Sequence, residues 1–283
     1  MLRWIIALSA IFGFSVCAEQ IPVALHFQSG ISAEQIIETR VESEIQFPDF
    51  LLHKIIEQKL YVDISLIQED GKSEQLEFVL KRCVSDIRAN EEHIRFDSLE
   101  PAETVMQAQL QKLLHRPFRF TVLEDLTLLG DENWEHTKEE LSAVTENFDL
   151  SSFEELASYL FALKNKQVFA GAQYQRNIKV RQEEGLNLEI PINYLINRAD
   201  LREVQASLSG RVDPSSFSLL GNSNLNIEGA LNGQVTWQSQ NALFYQLSLQ
   251  QSYNGTILHE EMRAPLHLKI THRVDSHPKS SLS

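Results

Sequence analysis

The chain has 283 residues, 43% hydrophobic and 23% charged, the composition of a folded globular protein rather than a disordered or low-complexity one. Eleven glycines and eight prolines exclude collagen-like and linker-like classes. A formal charge of −14 repels phosphate backbones, so nucleic acid is not an expected partner.

Residues 1–18 read as a secretory signal. Arg3 gives the positive start, Trp4 to Val16 an apolar run, and Val16-Cys17-Ala18 small residues at a cleavage site after Ala18. The mature chain is then expected in the periplasm or secreted space. The alternatives are an N-terminal core helix and lipid anchoring at Cys17, which Phe14 and Val16 disfavour. No later run approaches the roughly 20 apolar residues of a membrane helix, so no transmembrane helix is expected after signal removal. Cleavage leaves Cys83 as the single thiol, without a disulfide partner. Its neighbours Phe78, Val79 and Leu80 make it a small apolar side chain in a buried strand; a reactive role rests only on nearby Lys81 and Arg82.

Residues 19–168 carry 14 basic and 29 acidic side chains, whereas residues 169–283 carry 10 of each. The shift divides the chain into an acidic α+β region at 19–168, an antiparallel β-meander at 169–273, and a polar, disordered tail at 274–283. In the acidic region Val23, Leu25 and Phe27 alternate, as do Ile37, Val41 and Ile45. Leu60 to Ile67 and Leu76 to Val84 form a hairpin about Asp70-Gly71. Glu100-Pro101 opens a helix with the stripe Val105, Met106, Leu110, Leu113 and Leu114, and His115-Arg116-Pro117 stops it. Phe118, Phe120 and Val122 return to strand. Ser151 and Glu154 have capping-box spacing at the head of a second helix, with the stripe Phe153, Leu156, Leu160, Phe161 and Leu163.

Lys166-Gln167-Val168-Phe169-Ala170-Gly171-Ala172-Gln173-Tyr174 follows. It resembles the mid-chain signature of a family of uncharacterised exported β-rich bacterial proteins, in which Gly-Asp and then an aromatic open a run of long antiparallel strands. Gly171 and Tyr174 match; Ala172 stands where the family usually has Asp. The resemblance implies export and β-rich architecture and transfers no functional residue.

Leu188 to Ile196 and Val204 to Val212 are the next strands, joined through Asn197 to Asp200. Leu225, Ile227, Val235 and Trp237 mark a strand bent or bulged near Gly229 and Gly233. Leu243, Tyr245, Leu247 and Leu249 alternate with Gln246, Ser248 and Gln250, Asn254-Gly255 reads as a hairpin turn, and Ala264, Leu266, Leu268 and Ile270 alternate beyond it. The fold class is therefore α+β, mainly β: curved antiparallel sheets with a few amphipathic helices covering one face.

Chemistry is sparse. His259 and Glu261 could share a metal on a strand but read better as a solvated hairpin edge. Asp131, Glu132 and Glu135 could gather around calcium, yet lack the spacing of an EF-hand loop. There is no nucleophile-elbow or phosphate-cradling motif, and Glu183-Glu184 is an ordinary turn pair. Asn254-Gly255-Thr256 matches a glycan acceptor. No catalytic, cofactor-binding or metal residue, and no cofactor, is named. The expectation is an exported non-enzymatic protein of the cell envelope or secreted space. It would use its one-sided sheet for an apolar ligand or an envelope protein partner. The alternative is a secreted or periplasmic hydrolase with a dispersed site.

Overall fold

The computed structural model describes residues 22–68, 74–123, 128–134, 136–137, 151–181, 187–219, 223–259 and 262–279. The expected leader therefore lies outside the described residues, as do the expected Asp70-Gly71 turn, Glu135, Glu183-Glu184 and Glu261. Among the described residues there are fourteen strands. β1 (Val23–Ala24) pairs with β8 (Gln167–Val168) in a small ribbon. The rest form one antiparallel sheet: β2 (Ser32–Gln46), β3 (Leu51–Ile67), β4 (Gln75–Ala89), β5 (Glu92–Asp97), β6 (Pro117–Val122), β7 (Leu128–Gly130), β9 (Gln173–Arg181), β10 (Asn187–Ala199), β11 (Glu203–Leu219), β12 (Ser223–Gln238), β13 (Tyr245–His259) and β14 (Met262–Pro278). The spatial order is β7-β6-β4-β3-β2-β14-β13-β12-β11-β10-β9, with β5 also on β4.

Period-2 patterning explains the sheet's polarity. On β13, Tyr245, Leu247, Leu249, Gln251 and Tyr253 are buried, while Gln246, Ser248, Gln250, Ser252 and Asn254 are exposed. On β12, Leu225, Ile227, Leu231, Val235 and Trp237 face the same dry side. In β4, Lys81 and Arg82 form a bulge opposite Tyr61 and Val62 of β3, which restores the inward parity of Cys83, Ser85 and Ile87. One apolar cluster runs from Phe120 and Trp134 near one edge to Ile178 and Ile190 near the other. The sheet thus curls about a shared interior.

The helices correct the expected fold class. α1 (Val105–Lys112) and α2 (Ser151–Leu160) have 8 and 10 residues, a rise of roughly 12–15 Å. Strands of 13 to 17 residues reach roughly 45–55 Å. Helices of that size cannot form a layer over such a sheet, and the molecule is a mostly β protein built on a 12-stranded antiparallel sheet rather than an α+β one. α1 begins at Thr104, whose hydroxyl accepts from the Gln107 amide while the Gln107 side chain accepts from the Thr104 N–H. α2 is swallowed rather than laid on top. Glu155, Leu156, Ala157, Tyr159 and Leu160 are all buried, and the helix touches both β9 and β7, the two ends of the strand order. The side chains of Ser151 to Glu154, including the expected capping pair, lie outside the described residues.

Three local expectations also change. Residues 274–278, expected in a disordered tail, continue β14 because Val274 and Ser276 face the dry interior opposite Ile37 and Gln35 of β2. Asn254-Gly255 is not a turn; it lies inside β13, paired on both sides by β12 and β14. A Cβ at Gly255 would lie 2.7 Å from the Asn226 carbonyl, so this glycine answers to close strand approach rather than turn geometry. The irregularity expected at Gly229 and Gly233 falls on the partner strand, between Val212 and Ser215 of β11. The pairing of β14 with β2 carries the sheet without interruption across the compositional boundary.

Candidate functional site

The two ends of the curled sheet differ. At one end Ala33, Ile64, Leu66, Phe78, Trp237 and Leu243 are almost completely buried. Chain segments seal it. His26 donates its N–H to the Ser239 carbonyl and its own carbonyl accepts from Ala242, Trp237 Nε1 donates to the Leu160 carbonyl at 3.1 Å, and the rings of Phe27 and Phe161 lie 5.1 Å apart. Gly171, the glycine of the family-like segment, takes φ +85° here and donates its N–H to Ile196 of β10. Tyr174 donates its hydroxyl to the Gln167 carbonyl across the same turn.

At the opposite end the inner face is half exposed. Three cross-strand rows reach it: Ile270, Val41 and Ile56; then Leu268, Ser43 and Lys54; then Leu266, Ile45 and Leu52. Of these only Leu266 is buried. Aliphatic side chains on an inward face that stay half exposed form a surface in want of apolar cover.

Besides the hydrogen-bonded Gln35–Ser276 pair and the Ser43 and Lys54 side chains, two polar clusters interrupt the apolar inner face. On the β13 side, Glu155 of α2 accepts from Gln251 at 2.6 Å and from the Tyr159 hydroxyl, while Tyr253 donates to Gln251 at 2.7 Å. Burial pushes the hydroxyls of Tyr159, Tyr194 and Tyr253 up, keeping them neutral. On the other side, His272, Thr39, Gln58 and Ser85 lie opposite one another across β14, β2, β3 and β4. His272 Nδ1 and Thr39 Oγ1 are 3.0 Å apart, and burial pulls the imidazole down to about 4. Gln58 Nε2 and Ser85 Oγ are buried without a hydrogen-bond partner among the described residues. Each such orphan costs about 1–3 kcal/mol.

The sequence-predicted site residues are not brought together. Asp131 caps the turn at Trp134, accepting its N–H at 2.8 Å, and Glu132 is exposed. His259 Nδ1 lies 2.8 Å from Ser223 Oγ, a nucleophile–base contact, but no carboxylate among the described residues is within ion-pair distance of His259 to orient it. Cys83 is fully buried, and burial pushes its thiol up, away from the reactive thiolate. Asn254 is exposed on the outer face with His267 Nδ1 2.8 Å from its Oδ1. Gln58, Thr39 and Ser85 were not singled out by sequence. Their parity was the available signal, since Gln58 shares it with Leu60, Val62 and Ile64, and Thr39 shares it with Ile37 and Val41.

No described helix is long and apolar enough to cross a membrane, which says nothing about strands. The outer face speaks to strands directly. Asn224, Asn226, Asn232 and Gln234 of β12, like their neighbours on β13, are exposed and polar, whereas strands that sit in lipid turn apolar residues outward.

No family model and no curated protein matches the chain. Among solved structures it is similar to an outer membrane channel from Pseudomonas putida F1, at 8% identity and TM-score 0.29, over 89% of this chain and 97% of that chain. It is also similar to the β domain of the Bordetella autotransporter BrkA, at 6% identity and TM-score 0.27, over 88% of this chain and 99% of that one. Likenesses this slight carry neither fold nor activity across.

Proposed function

We propose that this is an exported, non-enzymatic binding protein that holds an apolar ligand against the inner face of its sheet, at the half-exposed end. The carrying observation is the set of inward aliphatic side chains Ile270, Val41, Ile56, Ile45 and Leu52, all only partly covered, of which Ile270 and Ile45 pack against the buried core. Sequestering such a surface on a ligand gains about 25 cal/mol for each Å² removed from water. The polar outer face supports a water-borne molecule, and the leader-like residues 1–18 support delivery outside the cytoplasm. The Ser223–His259 contact lacks an orienting acid among the described residues, which weighs against the hydrolase alternative. Titration with the neutral fluorophore N-phenylnaphthylamine tests the reading. Saturable fluorescence enhancement, displaced by medium-chain alkyl compounds and abolished by Ile56→Glu in a folded variant, is expected. A titration without saturation, or one that Ile56→Glu leaves unaltered, overturns it.

A further inference from the structure

Polar side chains interrupt the inner face of β2–β4 and β14 at three levels: the hydrogen-bonded Gln35–Ser276 pair, Ser43 beside Lys54, and between them one four-residue cross-strand row. His272, Thr39, Gln58 and Ser85 stand side by side, all uncharged, directly inward of the half-exposed row of Ile270, Val41 and Ile56. Two of the four already satisfy each other: His272 and Thr39 are 3.0 Å apart. The other two do not. Gln58 is 7% exposed and Ser85 4%, and Gln58 Nε2 and Ser85 Oγ have no partner among the described residues. One row further in, Val274, Ile37 and Leu60 are aliphatic, and in the row beyond it the buried polar residues Gln35 and Ser276 satisfy each other, so the unsatisfied pair is the exception. An amide N–H and a hydroxyl held together in a dry wall form a recognition element for an acceptor brought in by something apolar.

We infer that the ligand is a neutral amphiphile, with a carbonyl or hydroxyl oxygen that accepts from Gln58 Nε2 and Ser85 Oγ and an alkyl chain that runs along the strands toward Ile45 and Leu52. This deepens the proposed apolar-ligand site and rests on it. From Thr39 to Ile45 the strand advances roughly 20 Å, the length scale of a medium to long alkyl chain. The row itself offers neither a fixed positive charge nor a bidentate guanidinium, so it selects an ester, alcohol or amide rather than a phosphate head group, and Lys54 stands two rows away beside the chain's path.

The test is competition against N-phenylnaphthylamine by dodecanol, methyl laurate and dodecane, which share a chain and differ in the polar atom. The native protein should bind the alcohol and the ester about tenfold more tightly than the alkane. Gln58→Leu and Ser85→Ala should each reduce that preference, read as the ratio of alcohol or ester affinity to dodecane affinity, and either variant suffices if the other fails to fold. Equal affinity for all three compounds in the native protein overturns this inference but leaves the apolar site standing. So does a preference that survives in both folded variants. Displacement by none of the three overturns the apolar site and, with it, the inference.

Discussion

Strands β2–β4 and strands β11–β13 are alike in length, at 15 to 17 residues, and alike in turning apolar side chains inward, yet they differ on both faces. Outside, β2–β4 carry a ladder of ion pairs: Lys59 with Glu38, Arg40 with Glu57, Arg88 with Asp86, and Asp63 with both Lys81 and Lys279. β12 and β13 carry Ser, Asn and Gln instead. Inside, α2 is bonded to β12 through Trp237 and to β13 through the Glu155–Gln251 pair, whereas β2–β4 retain orphaned polar atoms and half-exposed aliphatic rows. Strands β2–β4 are filled at one end, at Ala33, Ile64, Leu66 and Phe78, and partly uncovered at the other, and only that second end offers the proposed ligand a surface.

Substitutions can break or sharpen that contrast. Trp237→Ala, at the filled end, removes a fully buried indole and its bond to Leu160, and should cost about 4 kcal/mol in urea unfolding. Ile56→Ala, at the partly uncovered end, should cost about 1 kcal/mol, because a half-exposed side chain leaves little cavity. Equal losses at the two sites would erase the distinction.

Acidity probes the polar row. Burial holds the folded His272 at about 4, below the ordinary histidine value near 6.5, so protons favour the unfolded chain. The stability is complete above about pH 6.5 and falls as pH drops toward 4, by about 3 kcal/mol in total. His272→Gln should flatten that part of the stability–pH curve, read from urea midpoints against pH. An unchanged slope would mean that the imidazole is not held neutral by its surroundings.

Smaller effects follow at the strands' outer spacing. Gly255→Ala forces a methyl group against the Asn226 carbonyl and should cost about 2 kcal/mol, measured by the shift in thermal midpoint. A turn-forming glycine would instead be rescued by Asn, which accepts positive φ; Gly255→Asn should be no better than alanine. Arg40→Ala removes an exposed partner of Glu57 and should cost about 0.5 kcal/mol at low salt and less at high salt.

The alternation of Tyr245, Leu247 and Leu249 is visible in the sequence because a strand with one wet and one dry face writes its period directly into side-chain polarity, and all three do point inward. Asn254-Gly255 misleads because local turn propensity says nothing about neighbouring backbones; Gly255 is fixed by β12, which the dipeptide does not encode. The helical stripes at Leu110 and Leu160 mark real helices, but stripes carry no information on how large a sheet they must share. Gln58 and Ser85 are harder still. A polar residue within an apolar run is read as solvent-facing, and only their parity with Leu60 and Ile87 betrays the inward orientation. The half-exposed end itself depends on which distant segments, among the described residues, reach across it, and no window of residues contains that information.

The seam between β14 and β2, from Leu266 opposite Ile45 to Pro278 opposite Ala33, joins segments more than two hundred positions apart at the middle of the sheet. During synthesis the long flank of β2 therefore waits, bare and sticky, until the ribosome has added the more than two hundred residues that lead to β14. Assembly dominated by so distant a closure is intrinsically slow, and a chaperone that shields β2 in the interval would raise yield more than any gain in final stability.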